Sequence, residues 1–350
     1  MECAGRKDWP AAIHAFREAI KIDPNCVDAH YDLARTLVAA GRQDEAVAAF
    51  DVVLELVPQF AEAHAERGFV LARLNRREEA LAAYRRAEEL QPESPLMAYN
   101  LGCGLAALGR HEESLGPFRK AIDLDPTLAT AHANYGAALG SLGRWEEAAV
   151  AHRRAIALDA SDPRPHRNLA VALLELGRPG EAEVSFREAM MLAPADCDVV
   201  LRLAGALTEL KRYEEAVTFF RKGLADDPRN YEGLAGLGGC LSLQGCHEEA
   251  IAVCAQAVSL APEVAETHFS LAAAYSNAKR HEAAAKAFSE AIRLKPEWAQ
   301  AHLGKAEELK DLGRFEESLA SFRSALALDP ASMDGDPVLR QMYDDVAGRA

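Results

Sequence analysis

Residues 129–162 read ATAHANYGAALGSLGRWEEAAVAHRRAIALDASD, and this stretch decides the fold. From Ala129 to Gly143 it is apolar at helical spacing; Gly143-Arg144 then makes a turn, and a second amphipathic run follows from Trp145 to Leu158. Gly143 supplies the positive φ that ends the first helix. The same pattern recurs along the chain. Prolines fall at Pro24, Pro58, Pro92, Pro126, Pro194, Pro228, Pro262, Pro296 and Pro330, 34 residues apart except for one interval of 68. Ala160 stands in the gap, with Pro163 just beyond. A period held this long without an insertion predicts an array of helix pairs, each pair stopped by the proline after its second helix.

The other fixed positions explain how such pairs pack. Gly or Ala stands eight places into each unit: Ala34, Gly68, Gly102, Gly136, Ala170, Ala204, Gly238, Ala272 and Ala306. The second helix carries Ala46, Ala80, Ala148, Ala182, Ala216, Ala250 and Ala284, with Ser114 and Ser318 in the same slot. These small residues let the helices of a pair approach closely. Phe50, Tyr84, Phe118, Phe186, Phe220, Phe288 and Phe322 then fill the spaces between units, each ring worth ~1.5–3 kcal/mol when buried. The turn position is Gly41, Gly109, Gly143, Gly177, Gly245 or Gly313; Asn75 tolerates the conformation, and Lys211 and Lys279 adopt it with strain.

This pattern resembles the tetratricopeptide repeat family, most closely in the unit from Ala129 with Tyr135, Gly136, Leu139, Ala148, Ala155 and Leu158-Asp159. The resemblance implies an all-α fold, a right-handed superhelical solenoid of tandem 34-residue helix-turn-helix repeats, whose first helices line a concave groove. Nine tandem units are expected over residues 27–332. Residues 1–26 hold only a second helix, with Trp9, Ile13, Phe16 and Ile20 on its apolar side, so an incomplete opening repeat is expected there. Residues 333–350 are expected to form a capping helix, with Asp336 as N-cap, Pro337 as first residue, and Val338, Leu339, Met342, Tyr343 and Val346 on one stripe.

Composition bounds the function. Of 350 residues, 39 are Lys or Arg and 54 are Asp or Glu, a net charge of −15 that disfavours nucleic acid and anionic membranes as partners. No run of 18 apolar residues predicts a membrane span, and the start lacks a secretory signal. The seven cysteines form no Cys-x-x-Cys pair, so a reducing, cytoplasmic location is expected. No phosphate loop, dinucleotide fingerprint, nucleophile elbow or His-Glu-x-x-His is present, so neither catalysis nor a cofactor is expected. His30, His64, His132, His166, His268 and His302 share the fourth place of their units; His111, His247 and His281 share another. They are read as structural substitutes for aromatic rings, because equivalent places lie roughly 10 Å apart, too far to share a metal. Cys240, Cys246, His247 and Cys254 are read as packing residues for the same reason. Arginines after the turns and glutamates three residues on, such as Arg144 and Glu147, are read as solvating residues that suit the helix dipoles.

Specificity is left to places 2, 5, 6, 9, 12 and 13 of each first helix, which the repeat resemblance directs into the groove. Asp28, Asp32, Glu62 and Glu66 make its first units acidic, relieved by Arg35 and Arg73. Asn100, Asn134 and Asn168 form a ladder at one place in three consecutive units. A primary amide can donate to and accept from a peptide backbone, so the row suits an extended peptide. The ladder resembles the one lining the repeats of O-linked N-acetylglucosamine transferases. The chaperone-type two-carboxylate clamp does not transfer, since its opening Lys/Asn pair is missing. The expected site is Tyr99, Asn100, Asn134, Arg164, Arg167, Asn168 and Arg202, and the expected partner is a protein or peptide, acidic or ending in a free carboxylate. The alternative is the substrate-recruiting region of a larger, glycosyltransferase-like enzyme.

Overall fold

The computed structural model describes residues 9–330 and 337–349, and among them all regular structure is helical, with no strand. The chain forms two compact units, Met1–Leu176 and Gly177–Ala350. The first holds α1 (Trp9–Ile22), α2 (Val27–Ala39), α3 (Gln43–Leu56), α4 (Ala61–Arg73), α5 (Arg77–Leu90), α6 (Pro95–Ala107), α7 (His111–Leu124), α8 (Ala129–Ser141), α9 (Trp145–Leu158) and α10 (Pro163–Glu175). The second holds α11 (Pro179–Leu192), α12 (Cys197–Glu209), α13 (Tyr213–Asp226), α14 (Tyr231–Leu243), α15 (His247–Leu260), α16 (Ala265–Asn277), α17 (His281–Leu294), α18 (Ala299–Asp311), α19 (Phe315–Leu328) and α20 (Pro337–Ala347). Within each unit every helix packs on its neighbours in the chain, as tandem helix pairs require.

The two turns of a repeat are closed by different devices. After α8, Gly143 takes φ 72°, its N–H bonds Gly140 O at 2.9 Å, and the Arg144 N–H reaches back to Leu139 O at 3.0 Å. This pair of bonds satisfies the last carbonyls of the helix. Asn75, Lys211 and Lys279 hold the same left-handed conformation, at φ 60°, 60° and 57°. The turn between repeats is tied by the fourth-place histidines. Nε2 of His30, His64, His132, His166, His268 and His302 lies 2.9–3.3 Å from the carbonyl oxygen six residues earlier, which is a proline carbonyl in five cases and that of Ala160 in the sixth. A carbonyl only accepts, so each Nε2 carries the proton.

Rings and glycines fit each other. A Cβ on Gly102 would stand 2.6 Å from the Phe118 ring, and Tyr84 sits between Gly68 and Gly104 at 2.8 Å from either Cβ position. Phe50, Phe118, Phe186 and Phe322 are wholly buried, and His152 and Cys254 fill the same slot in their repeats. The arginines and glutamates of the turns pair with each other: Arg42–Glu45, Arg76–Glu79, Arg110–Glu113, Arg144–Glu147, Arg178–Glu181, Arg212–Glu215 and Arg314–Glu317 all form i,i+3 bridges. All are at least a third exposed, so water and salt screen them and they add little to stability.

At the first unit's start, Ile13 is buried with Phe16 and Ile20 against the α2–α3 cluster. In the second unit Val346 of α20 is buried, with Met342 and Tyr343 beside it over Phe322, Leu319 and Ala306. Asp336 and the side chains of Val338 and Leu339 lie outside the described residues.

Candidate peptide-binding face of the first unit

Three successive depressions run along the first helices of the first unit. One of about 480 Å³ lies among α2, α4 and α6 and includes Asn100. The next, about 230 Å³, lies between α6 and α8 and includes Cys103, Asn134, Ala137 and Ser141. The third, about 340 Å³, includes Ala137, Gly140, Asn168 and Val171, with Trp145 and His152 beneath. Each amide of the ladder therefore opens into its own depression.

The structure brings some of the expected residues together and holds others apart. Asn134 Nδ2 donates to the Tyr99 hydroxyl at 3.0 Å and to Cys103 Sγ at 3.4 Å. Burial, followed by the neighbouring Cys103, pushes the Tyr99 phenol up to about 12. Burial also pushes the Cys103 thiol up, against the hydrogen bonds from Tyr99 and Asn134. Cys103 is thus a neutral thiol and a poor nucleophile. Asn168 Oδ1 lies 3.5 Å from Arg167 Nε.

Arg164 folds back on Asp162, the N-cap of its own helix. Asp162 Oδ1 accepts the Arg164 backbone N–H at 2.9 Å, and Oδ2 accepts from the guanidinium at 2.6 Å. That hydrogen bonding holds the Asp162 carboxyl below its usual range. Arg202 belongs to the second unit, where its Nε contacts both Asp198 oxygens at 3.0 Å. The Arg164 guanidinium is exposed while Asp162 is largely buried, whereas Arg202 and Asp198 are both about half exposed.

Tyr31, Phe69 and Leu96 were not singled out from sequence, yet they line the first depression. Their signal was present: they stand at places 5, 9 and 2 of their units, all groove-facing places. In the second unit Cys240 and Cys254 are fully buried, and burial pushes the Cys254 thiol up to about 12. Among the described residues no three His, Cys, Asp or Glu side chains gather as a metal-holding group. No helix among them is long and apolar enough to cross a membrane.

Sequence comparison with protein families places the chain. Tetratricopeptide repeat families match residues 4–68, 66–129, 173–238, 244–297 and 269–333, and a further TPR repeat family matches 136–177. The chain belongs to the tetratricopeptide repeat family. No curated protein matches it in sequence. Among solved structures it is similar to the Cut9–Hcn1 hetero-tetramer of the APC/C, at TM-score 0.57 and 13% identity over 97% of this chain and 93% of that one. It is also similar to PilW, described as a widely conserved type IV pilus biogenesis factor, at TM-score 0.54 and 23% identity over 59% and 96%. The pilF protein of Pseudomonas aeruginosa gives TM-score 0.52 and 19% identity over 63% and 97%. At these identities the likeness is one of fold.

Proposed function

We propose that the chain is a non-enzymatic protein-interaction scaffold that binds an extended partner segment across the first-helix face. The contacts in the first unit are Tyr99, Asn100, Asn134, Arg164, Arg167 and Asn168; Arg202 lies on the second unit, paired with Asp198. The observation that carries this is the ladder itself, three amides at one place in three repeats, each opening into its own depression. Successive first helices stand roughly 10 Å apart, and an extended chain advances roughly 3.3 Å per residue, so one amide meets every third residue of the partner. Backbone contacts at that interval bind without regard to side chains. The arginines favour an acidic side chain or a C-terminal carboxylate beside the ladder. Membership of the repeat family, whose fold is typical of protein-protein interaction, supports the same conclusion.

The test is binding of fluorescent peptide libraries to the wild type and to the double variant Asn134→Ala/Arg167→Ala. Loss of about tenfold in affinity is expected for the variant. Thermal melts check that the variant keeps its fold without the Asn134–Tyr99 bond. Equal binding by a folded variant removes the site.

A further inference from the structure

The depression among α2, α4 and α6 differs in chemistry from the two beyond it. Its walls are Val38, Ala65, Val70 and Met97, and Phe69 and Leu96 stand over it 52% and 54% exposed. Two large apolar side chains thus stand open on a single depression. The rim is acidic. Asp28 and Asp32 share one stripe of α2 with Tyr31 and Arg35, while Glu62 and Glu66 share one of α4 with Phe69 and Arg73. Glu62, Glu66 and Arg35 line the depression itself, and Asp28, Asp32 and Arg73 stand on the same stripes beside it. Glu66 accepts the Tyr31 hydroxyl at 3.0 Å and lies 3.5 Å from Arg35, and Arg73 sits 5.8 Å above the Phe69 ring. Asp28 and Asp32 are exposed and carry no ion pair among the described residues. The negative field is felt locally: after burial, the carboxylates of Glu66 and Glu62 help push the Tyr31 phenol up to about 12.

We infer that this depression is a second anchoring subsite, which takes a large apolar side chain flanked by lysine or arginine on a partner segment. Apolar walls exclude a charged tip from the floor, and the acidic rim is complementary to cations on either side of the anchor. The inference rests on the scaffold role proposed above and extends it, because the charge preference here is opposite to that at Arg164 and Arg167. A partner that spans both has a fixed direction, basic and apolar at α4, acidic or carboxylate-terminated at α10. Three repeat spacings separate these helices, about 30 Å, or about nine residues of extended chain.

Three fluorescent peptides test this by polarisation against the full chain. The first has a Leu-Phe pair flanked by two lysines on each side; the second replaces the lysines with glutamates; the third keeps the lysines and replaces Leu-Phe with Ser-Gly. The first peptide is expected to bind at least about tenfold more tightly than either of the others. Phe69→Ala and Asp32→Lys should each weaken it about tenfold. Phe69 and Asp32 are exposed, so circular dichroism should show both variants folded. Equal binding of the glutamate peptide, wild-type binding by Phe69→Ala, or no binding of the first peptide overturns the subsite. A dimer in sedimentation equilibrium that Phe69→Ala abolishes also overturns it, by making a second copy the occupant. Failure of the amide ladder is read separately, from library binding to the Asn134→Ala/Arg167→Ala variant.

Discussion

His152 occupies the slot that Phe118 fills one repeat earlier, and it is 2% exposed. Its Nδ1 has no hydrogen-bond partner. The ring lies against Gly136, where a Cβ would stand 2.8 Å from Cε1, much as Phe118 lies against Gly102 at 2.6 Å. Nothing charged compensates, and burial alone pushes its pKa from 6.5 down to about 4. The folded chain therefore keeps this imidazole neutral, while the unfolded chain takes up a proton near pH 6.5. Stability linked to His152 is complete above that pH, falls as the pH drops, and levels out near pH 4. Over that interval the loss amounts to about 3 kcal/mol at 1.36 kcal/mol per unit. His152→Phe replaces the imidazole with the ring found in most other repeats and removes the titration. Repeat arrays open piecemeal, so a global midpoint dilutes the effect. Amide hydrogen exchange of α8 and α9, compared between variant and wild type at the same pH, isolates it because intrinsic exchange rates cancel. The protection ratio in favour of His152→Phe should grow by up to about tenfold per unit between about pH 6 and pH 4.5. A ratio that stays constant over that range refutes the neutral, unpartnered imidazole.

Two further substitutions probe the backbone. Lys279 sits at a turn with φ 57° where most other repeats have glycine, so Lys279→Gly should stabilise its repeat by about 1 kcal/mol in urea titration; a lower midpoint would contradict the strain. Pro117 lies inside α7 and offers no N–H to Glu113 O, so Pro117→Ala should raise stability by about 1–3 kcal/mol, seen as increased exchange protection in α7.

The framework was legible in sequence because each of its positions is subject to a steric demand that few residue types meet. A left-handed turn after thirteen helical residues selects glycine, and a ring facing another helix's backbone selects Gly or Ala opposite it, as Gly102 faces Phe118. The repeat fixes the place of the fourth-place histidines but not their role: the sequence reads them as substitutes for aromatic rings, whereas in the structure each ring bonds a backbone carbonyl. Their partner is a carbonyl six residues back, and that contact depends on how the preceding helix ends, which periodicity does not encode. The site was legible as a set of places and illegible as a set of contacts. Arg164 and Arg202 were counted as cations for a partner, yet short-range geometry gives Asp162 and Asp198 first claim on them. Phe69 and Leu96 are illegible for the converse reason: in an apolar-rich repeat, periodicity does not separate an exposed apolar residue from a buried one.

The local pairings also bear on how a partner backbone would be held on the proposed face. Asn134 uses its Nδ2 on Tyr99 and Cys103, which leaves Oδ1 as its remaining polar group and fixes the amide's orientation. Asn168 turns its Oδ1 toward Arg167, which leaves Nδ2. The two neighbouring rungs thus present opposite polarity, an acceptor at Asn134 and a donor at Asn168. A bound segment must then offer an N–H at the first and a carbonyl at the second, about three residues along. An extended backbone leaves its N–H and C=O groups free to pair with a neighbour, whereas a helix consumes them internally. This polarity favours an extended partner over a helical one on grounds independent of the depressions. Oriented amides also add little ordering cost on binding, since Tyr99 and Arg167 already restrict their rotation.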